Sequence, residues 1–286
     1  MEIISTAHPI MRVAILDLYD NFPNQGMRCI KQIIHEQSGL NEGVQLDFDV
    51  FECRYRNEFP NPNQYDIYIS TGGPGSPYDG KGKQWEKNYF GLIEKLWSHN
   101  QNRAEHKKHV LFICHSFQMV VRLFDLGHVT QRRSTSFGIF PVHKTVEGMN
   151  DSILGLLPDP FYAVDSRDWQ VVQPNFNRMR EIGAQILSLE KIRPHVDLER
   201  AVMAMRISNE FFGTQFHPEA DPIGMSIYFQ QEEKREQVIK NHGLQKYEDM
   251  IAHLNDPDKI MLTYSTLIPA FLNQAINSLQ NELVGE

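Results

Sequence analysis

Three short segments of the sequence carry residue types that could act together on an amide bond. Cys114 follows the apolar run HVLFI and precedes a stretch of helical character. A glycine-rich segment, Gly72–Gly75, comes earlier in the chain, and His217 and Glu219 come much later, separated by one proline. A thiol, an imidazole and a carboxylate form a set for nucleophilic catalysis, in which the imidazole removes the thiol proton and the carboxylate orients the imidazole.

The position of Cys114 favours a nucleophile. We predict that it lies between a buried strand, His109–Cys114, and a helix, Ser116–Leu126. At a helix N-terminus, unpaired N–H groups and the positive end of the helix dipole stabilise a thiolate. A sharp strand-to-helix turn also exposes the nucleophile at the edge of the sheet. The alternative from this segment alone is a buried structural cysteine, which is a common environment for the residue.

The other two segments each have a catalytic and a structural interpretation. A predicted strand, Phe211–Gln215, delivers His217 and Glu219 just past its end, and Pro218 fixes the backbone between them. An isolated histidine is more often a surface or core residue, but this pairing favours a base with its orienting acid. Gly72–Gly75 is either an oxyanion hole or a simple turn. It is not a phosphate-binding loop, because the Lys-Ser/Thr ending of that motif is absent.

Strands that alternate with helices position these segments. Short apolar runs predict four buried strands in the first half of the chain, and a helix with apolar spacing lies between the first two of them. This order predicts an α/β fold, with a mostly parallel sheet, helices on both faces, and sites at the carboxyl ends of the strands. The predicted elements are Val13–Leu18, the helix Met27–Gln37, Leu46–Phe51, Asp66–Ser70 and His109–Cys114.

The second half of the chain has a different pattern. Short strands separated by turns are predicted from residue 136 onwards, and they form a mixed region added to the parallel sheet. These strands are Phe137–Val142, Phe161–Val164, Trp169–Val172, Ile186–Leu189 and Val202–Arg206. We therefore place a catalytic domain at residues 11–220.

The remaining residues, 221–286, form a predicted helical extension. Apolar residues recur at helical spacing from Met225 to Asn255, and Asp256-Pro257 interrupts the pattern. Lys259–Leu283 is predicted as a final helix with a kink at Pro269. We expect this extension to cap the domain, and a dimerisation arm is the alternative.

Composition narrows the classes of function. The 286 residues include 28 Lys+Arg and 36 Asp+Glu, and the resulting net charge of −8 argues against nucleic acid as a partner. Neither a signal peptide nor a membrane-spanning segment is predicted. Three cysteines, an odd number without a signal peptide, predict free thiols and a cytoplasmic location. The histidines lack the spacing of a metal site, and we expect neither a metal nor a cofactor.

Together, the three segments resemble motifs of the class I glutamine amidotransferase family, in the family's order. TGGPGSP is similar to the Gly-Gly-Pro oxyanion strand, FICHSFQ to the nucleophile motif G-x-C-x-G-x-Q, and TQFHPE to the His-x-Glu motif. The segment FYAVDSRDWQV resembles the corresponding part of members akin to the amidotransferase domain of GMP synthase. The resemblance covers roughly residues 11 to 220 and implies a flavodoxin-like, doubly wound sheet.

The resemblance also implies a role for each matching residue. Cys114 would attack the side-chain amide of glutamine, His217 would transfer the proton, and Glu219 would hold the imidazole. The N–H groups of Gly73 and His115 would stabilise the oxyanion, at about 2.7–4 kcal/mol per donor. Substrate-binding residues in this alignment are Gly75 and Gln118. The products would be glutamate and ammonia.

Several residues depart from the family motif. Phe112 and Ser116 stand where the family has glycine, and small residues there let strand and helix approach closely. Phe112 therefore requires a notch in the neighbouring strand. His115 is unusual beside the nucleophile and could perturb its thiol, and Arg167 stands where relatives often carry histidine. These departures bear on substrate identity more than on fold.

Three functions follow as hypotheses. The first is glutamine hydrolysis for an unidentified acceptor, which we expect on a separate synthetase subunit if an acceptor exists. The second is hydrolysis of another γ-glutamyl amide or small peptide by the same triad. The third is a catalytically silent binding module, in which Cys114 would resist alkylation near neutral pH.

Overall fold

The computed structural model describes residues 9–40, 43–103, 105–193, 197–254 and 256–284. Within these ranges the chain forms nine strands and nine α-helices. The strands are β1 (Ile10–Leu16), β2 (Gln45–Phe51), β3 (Ile67–Ser70), β4 (His109–Ile113), β5 (His128–Lys144), β6 (Phe161–Val172), β7 (Gln185–Leu189), β8 (Val202–Arg206) and β9 (Phe211–Thr214). The helices are α1 (Gly26–Leu40), α2 (Gln84–Asn102), α3 (His115–Phe124), α4 (Val146–Asn150), α5 (Phe176–Ile182), α6 (Pro222–Gln230), α7 (Glu232–His242), α8 (Leu244–Leu254) and α9 (Leu262–Val284).

One sheet holds all nine strands, in the order β2-β1-β3-β4-β9-β8-β7-β5-β6. The first five strands in this order are parallel, and each pair from β9 to β6 is antiparallel. The predicted α/β class with a mostly parallel sheet is confirmed, and the parallel strands are those from β2 to β9 in this order. Because β3, β4 and β9 are neighbours and parallel, the three segments that follow them leave the sheet at the same edge.

Helices cover both faces of the sheet, and alternate residues of β1 show how. Val13 and Ile15 pack in the cluster that contains α1 and α9, whereas Ala14 and Leu16 pack in the cluster that contains α2 and α3. Burying one such aliphatic side chain stabilises the fold by about 1.5–3 kcal/mol. Strands that are buried on both faces in this way have continuous apolar sequences, and these strands could be predicted for that reason. None of the helices in the described ranges is long and apolar enough to cross a membrane.

The predicted pair of short strands around residues 161–172 was wrong, because the chain forms one continuous strand there. β6 pairs antiparallel with β5 along most of its length, and the register shifts between Gln131 and Ser136. The polar residues between the two predicted strands were mistaken for a turn. In the structure Asp165 and Arg167 are buried inside β6 and form an ion pair of 2.7 Å, which offsets part of the cost of burying each charge.

The helical extension also differs from its prediction. The single pattern from Met225 becomes the three helices α6, α7 and α8, and α7 ends at Gly243, which has φ +87°. These helices bury Phe229, Val238 and Met250 against Ile139 of the β5–β6 hairpin. Asn255, the predicted end of the pattern, lies outside the described residues.

The last helix begins three residues later than predicted. A π-helical segment, Pro257–Met261, precedes α9, which continues past Pro269 to Val284. Leu267, Ile268 and Phe271 of α9 are buried in the same cluster as β1 and α1. The final helix is therefore part of the core on that face of the sheet.

A glycine in β9, Gly213, lies beside Phe112 and leaves room for Phe117 of α3. Phe112 lies opposite Gly213 in the parallel pairing of β4 with β9, and both are fully buried. A Cβ atom on Gly213 would lie 2.5 Å from Cδ2 of Phe117, the third residue of α3. The ring of Phe117 thus occupies the space left free by Gly213. The nucleophile motif of the family has glycine in β4 where this chain has Phe112, and in this chain the neighbouring strand β9 carries a glycine at the paired position.

We predict that Gly213→Ala destabilises the protein by about 1–3 kcal/mol, because the methyl group would overpack against Phe117. Urea denaturation measures the change, and Phe117→Leu in the same chain should recover part of the loss. Gly91→Ala is the matched control, since no atom lies within 4 Å of a Cβ at that position in α2 and alanine favours helix. A Gly213→Ala protein as stable as the Gly91→Ala protein would contradict the packing account.

Candidate active site

Cys114 occupies a strained turn between β4 and α3. Its backbone has φ +49° and ψ −96°, which a residue with a side chain rarely adopts and which costs about 1–3 kcal/mol. Its N–H donates to the carbonyl of Thr214 at the end of β9, and its own carbonyl accepts the N–H of Gln118. The turn directs the thiol away from the strand and places it at the start of the helix.

Ser116 braces this turn. Its hydroxyl accepts a hydrogen bond from the N–H of Ile113 at 2.8 Å and donates to the carbonyl of Ser70 at 2.7 Å. The side chain is fully buried and connects the end of β4 to the end of β3. A serine in place of the family's glycine therefore fits the turn and adds two hydrogen bonds to it.

His217 and Glu219 meet beside the thiol. The imidazole Nδ1 lies 2.8 Å from Oε1 of Glu219, which leaves Nε2 as the nitrogen available to Cys114. The N–H of His217 donates to the carbonyl of Val164, so that β6 holds the backbone of this segment. The structure thus brings together the three residues that the sequence proposed as nucleophile, base and orienting acid.

Charges around His217 favour its protonated form. Burial alone would lower the pKa of this imidazole, but the negative charges of Glu219 and Cys114, with hydrogen bonds to both side chains, raise the pKa well above its usual value. A cationic imidazole that is held in this way stabilises a thiolate next to it. The arrangement can therefore supply a nucleophile and, after attack, a proton for the leaving group.

The backbone of the glycine-rich segment packs directly against the side chains of His217 and Cys114. A Cβ atom on Gly72 would lie 3.0 Å from the His217 ring, and one on Gly73 would lie 2.4 Å from the carbonyl oxygen of Leu18. Only glycine fits at position 73 without displacing the backbone of the neighbouring loop. This close approach is what a donor of backbone N–H groups to an oxyanion needs.

Arg54 fixes the end of this segment. Its guanidinium donates to the carbonyl of Pro74 at 2.6 Å and lies 3.6 Å from the carboxylate of Asp79. Gly75 has φ +79°, and a Cβ atom there would meet Asp79 at 2.5 Å. The sequence had given no signal for Arg54, because an arginine after β2 is not part of any of the three motifs.

Gln118 faces the thiol region from the first turns of α3. Its side-chain amide donates to the carbonyl of Trp169 and to Oε1 of Gln215, each at 3.1 Å. Gln215 in turn places its own amide nitrogen 3.7 Å from Sγ of Cys114. Gln215 lies within the segment that ends in His217, but its contact with the thiol was not predicted.

His115 is a neutral neighbour of the nucleophile. Burial, followed by the positive charges of Arg54 and Arg122, lowers the pKa of its imidazole to about 3. The ring is therefore uncharged near neutral pH. His115 does not perturb the thiol of Cys114 through a positive charge.

Strand β6 forms a wall beside the thiol of Cys114, and a buried ionic network holds it. The carbonyl of Ser166 lies 3.8 Å from Sγ of Cys114. The next residue, Arg167, contacts Asp165 at 2.7 Å and Glu190 at 3.5 Å, and Glu190 contacts Arg132 at 3.0 Å. The residue that departs from the family's histidine thus anchors the strand that touches the thiol.

The fold and this geometry define a class of protein, namely α/β proteins with a Cys-His-Glu arrangement at a strand–helix turn. The family model described as "Glutamine amidotransferase class-I" matches residues 29–234, which is most of the chain. The chain therefore belongs to the class I glutamine amidotransferase family. Members of this family act on the amide of glutamine in general.

Solved structures show the same fold at low sequence identity. A glutamine amidotransferase from Thermotoga maritima is 15% identical with a TM-score of 0.67, and the match covers 94% of this chain and 99% of that one. A glutamine amido transferase from Methylobacillus flagellatus is 14% identical, with a TM-score of 0.60 and 95% of each chain covered. The glutaminase domain of Trypanosoma brucei CTPS with bound acivicin is 13% identical, with a TM-score of 0.57 and 94% of each chain covered. A comparison with curated protein sequences found no match.

We predict that iodoacetamide modifies Cys114 selectively near pH 7, because its thiol lies at the start of α3 beside the imidazole of His217. Cys29 and Cys53 are internal controls, because their thiols should react slowly. Burial is the main cause that raises the pKa of the Cys29 thiol to about 12 and the pKa of the Cys53 thiol well above its usual value. Peptide mass spectrometry after timed quenching measures each rate. Replacement of His217 by Gln should slow modification of Cys114 and leave the two controls slow. Equal rates at all three cysteines of the unaltered protein would contradict this reactivity.

Proposed function

We propose that the protein hydrolyses the side-chain amide of glutamine, with Cys114 as nucleophile, His217 as base and acid, and Glu219 as the residue that orients the imidazole. The observation that carries the proposal is the contact of His217 with both Glu219 and Cys114, at a strained turn within a chain of this family.

The reaction follows from the protonation states of the site. The Cys114 thiolate attacks the amide carbon and forms a tetrahedral adduct, and the imidazolium of His217 donates its proton to the departing nitrogen. Ammonia leaves, and a γ-glutamyl thioester remains on Cys114. His217, now neutral, takes a proton from water, which attacks the thioester and releases glutamate. Glu219 stabilises the imidazolium that forms in each half of the cycle.

Backbone groups supply the charge stabilisation in this proposal. The N–H groups of Gly73 and His115 face the developing oxyanion, in a segment that can approach closely because position 73 is glycine. The start of α3 adds the positive end of a helix dipole. Gln118, braced by Gln215, and Gly75, braced through Arg54, form the binding site for the rest of glutamine.

A separate acceptor for the ammonia is part of the proposal. The segments that carry the proposed catalytic residues follow β3, β4 and β9 at one edge of the sheet. A synthetase subunit would cover this edge. We propose such a subunit, in a cytoplasmic setting, as the partner that receives ammonia.

We predict that the purified protein releases ammonia and glutamate from glutamine, and that Cys114→Ala lowers the rate by about 10⁴-fold or more because alanine has no thiol to attack the amide carbon. Glu219→Gln should lower kcat by about 10²–10⁴-fold, since the imidazolium loses its counter-charge. A coupled glutamate dehydrogenase assay measures both rates.

Cys53→Ala is the matched control for loss of a buried cysteine away from the site, and it should retain the activity of the unaltered protein. Glutamine turnover that survives in Cys114→Ala at the level of Cys53→Ala would end the proposal.

A further inference from the structure

A cleft opens beside the His217–Glu219 pair. Its volume is about 570 Å³, and it lies between the start of α1, helix α6 and the β5–β6 hairpin. His217 and Ser166 line it, and the carbonyl of Ser166 is 3.8 Å from Sγ of Cys114. Its lining residues do not include Gly73, Gly75 or Gln118, which we assign to the oxyanion and to glutamine.

Two buried polar groups along this cleft have no hydrogen-bond partner within the described part of the chain. They are Oε2 of Glu219 and the hydroxyl of Tyr19, in side chains that are 1% and 7% exposed as residues. Leaving a buried polar group unpaired is costly, so a ligand that hydrogen-bonds there would be favoured. A Cβ atom on Gly26 would lie 2.2 Å from the Tyr19 hydroxyl and 3.2 Å from Oε1 of Glu219. Only a glycine at position 26 therefore leaves room for the side chains of Tyr19 and Glu219 beneath the start of α1.

The walls of the cleft are largely apolar. Phe137 and Val164 of the hairpin face Met225 and Ile227 of α6 across it. Water, the second substrate of a simple hydrolysis, needs no such surface. Its acidic groups are Glu219 and Asp221, and Arg28 already pairs with Asp221 at 2.7 Å. The cleft therefore fits a molecule with a hydrogen-bond-donating head, an amine above all, and an apolar body.

We propose that this cleft binds a primary amine with an apolar body, which accepts the γ-glutamyl group from Cys114 in place of water. The proposal rests on the proposed glutaminase chemistry and adds a transfer activity to it. The position of the cleft suits this role, because His217 serves both the departing ammonia and the incoming nucleophile.

The transfer step is balanced without any further reactant. The amine nitrogen attacks the thioester carbonyl and forms a C–N bond, His217 accepts the proton that the nitrogen loses, and the C–S bond breaks to return the thiolate. Over the whole cycle, glutamine and the amine give a γ-glutamyl amide and ammonia. No electrons are transferred to an outside acceptor.

The test incubates the full chain with glutamine and one of three amines, and mass spectrometry quantifies the γ-glutamyl amide and glutamate. The amines are phenethylamine, n-pentylamine and methylamine, assayed at pH 9 to raise the neutral fraction of an amine whose pKa is about 10.4. We expect amide with the first two and little with methylamine, which has almost no apolar body. Only glutamate and ammonia with every amine would overturn the transfer proposal and leave the proposed glutaminase intact.

Two matched substitutions in α6, one inside the cleft and one outside it, test whether the amine binds there. Met225→Trp fills the cleft and should lower the ratio of amide to glutamate by about tenfold, because overpacking an occupied site weakens binding. Ile223→Trp adds the same side chain on the same helix at a position that is 65% exposed and outside the cleft, and it should keep the ratio of the unaltered protein.

The glutamate formed in the same reactions shows whether each variant is folded and active. If Met225→Trp lacks all turnover, the milder Met225→Phe variant is assayed instead, with preformed γ-glutamyl-phenethylamide and with glutamine as substrates. We expect this variant to hydrolyse the phenethylamide more slowly relative to glutamine than the unaltered protein does. An unchanged ratio in either cleft variant would overturn the assignment of the cleft. Absence of any glutamine turnover in the unaltered protein would overturn the proposed function as well.

Discussion

The left-handed backbone of Cys114 is the constraint on which the rest of the site depends. A cysteine at φ +49° costs about 1–3 kcal/mol, so its surroundings must hold it. The bonds that do so come from both neighbouring strands: Ser116 reaches the end of β3, and the N–H of Cys114 reaches the end of β9. Because the same two strands deliver the glycine segment and His217, the turn and the candidate catalytic groups are aligned by one set of hydrogen bonds.

Burial of charge is the second feature that shapes the site. Glu219 and His217 are sheltered by β6, α1 and α6, so their attraction is little screened by water. Strand β6, which shelters them, carries the buried charges of Asp165 and Arg167, which pair with each other, and Arg167 also contacts Glu190 just after β7. The helical extension thus has a role beyond covering a hydrophobic surface, since α6 closes the side of the site that faces the amine cleft.

Much of this arrangement could be predicted from the sequence, and the limits have physical causes. Buried parallel strands such as β4 have short apolar sequences, and the motif residues at their ends meet because parallel strands end at one edge. The nineteen-residue helix α2 was missed, because its start follows a run of glycines and lysines without a capping side chain. Strand β6 was divided in two because a buried ion pair looks like a polar turn in sequence. Contacts across the fold, such as Gly213 with Phe117 or Arg54 with Pro74, depend on which strands become neighbours, and no local pattern contains that information.

The central claim is that Cys114, held in this turn and paired with His217, forms a covalent bond to the γ-carbonyl of glutamine. Rapid acid quenching during turnover, followed by peptide mass spectrometry, tests it most directly. The account predicts a γ-glutamyl adduct on the peptide that contains Cys114, which hydroxylamine removes as expected of a thioester. Ammonia release without any adduct on Cys114, or with the adduct on Cys29 or Cys53, would contradict it.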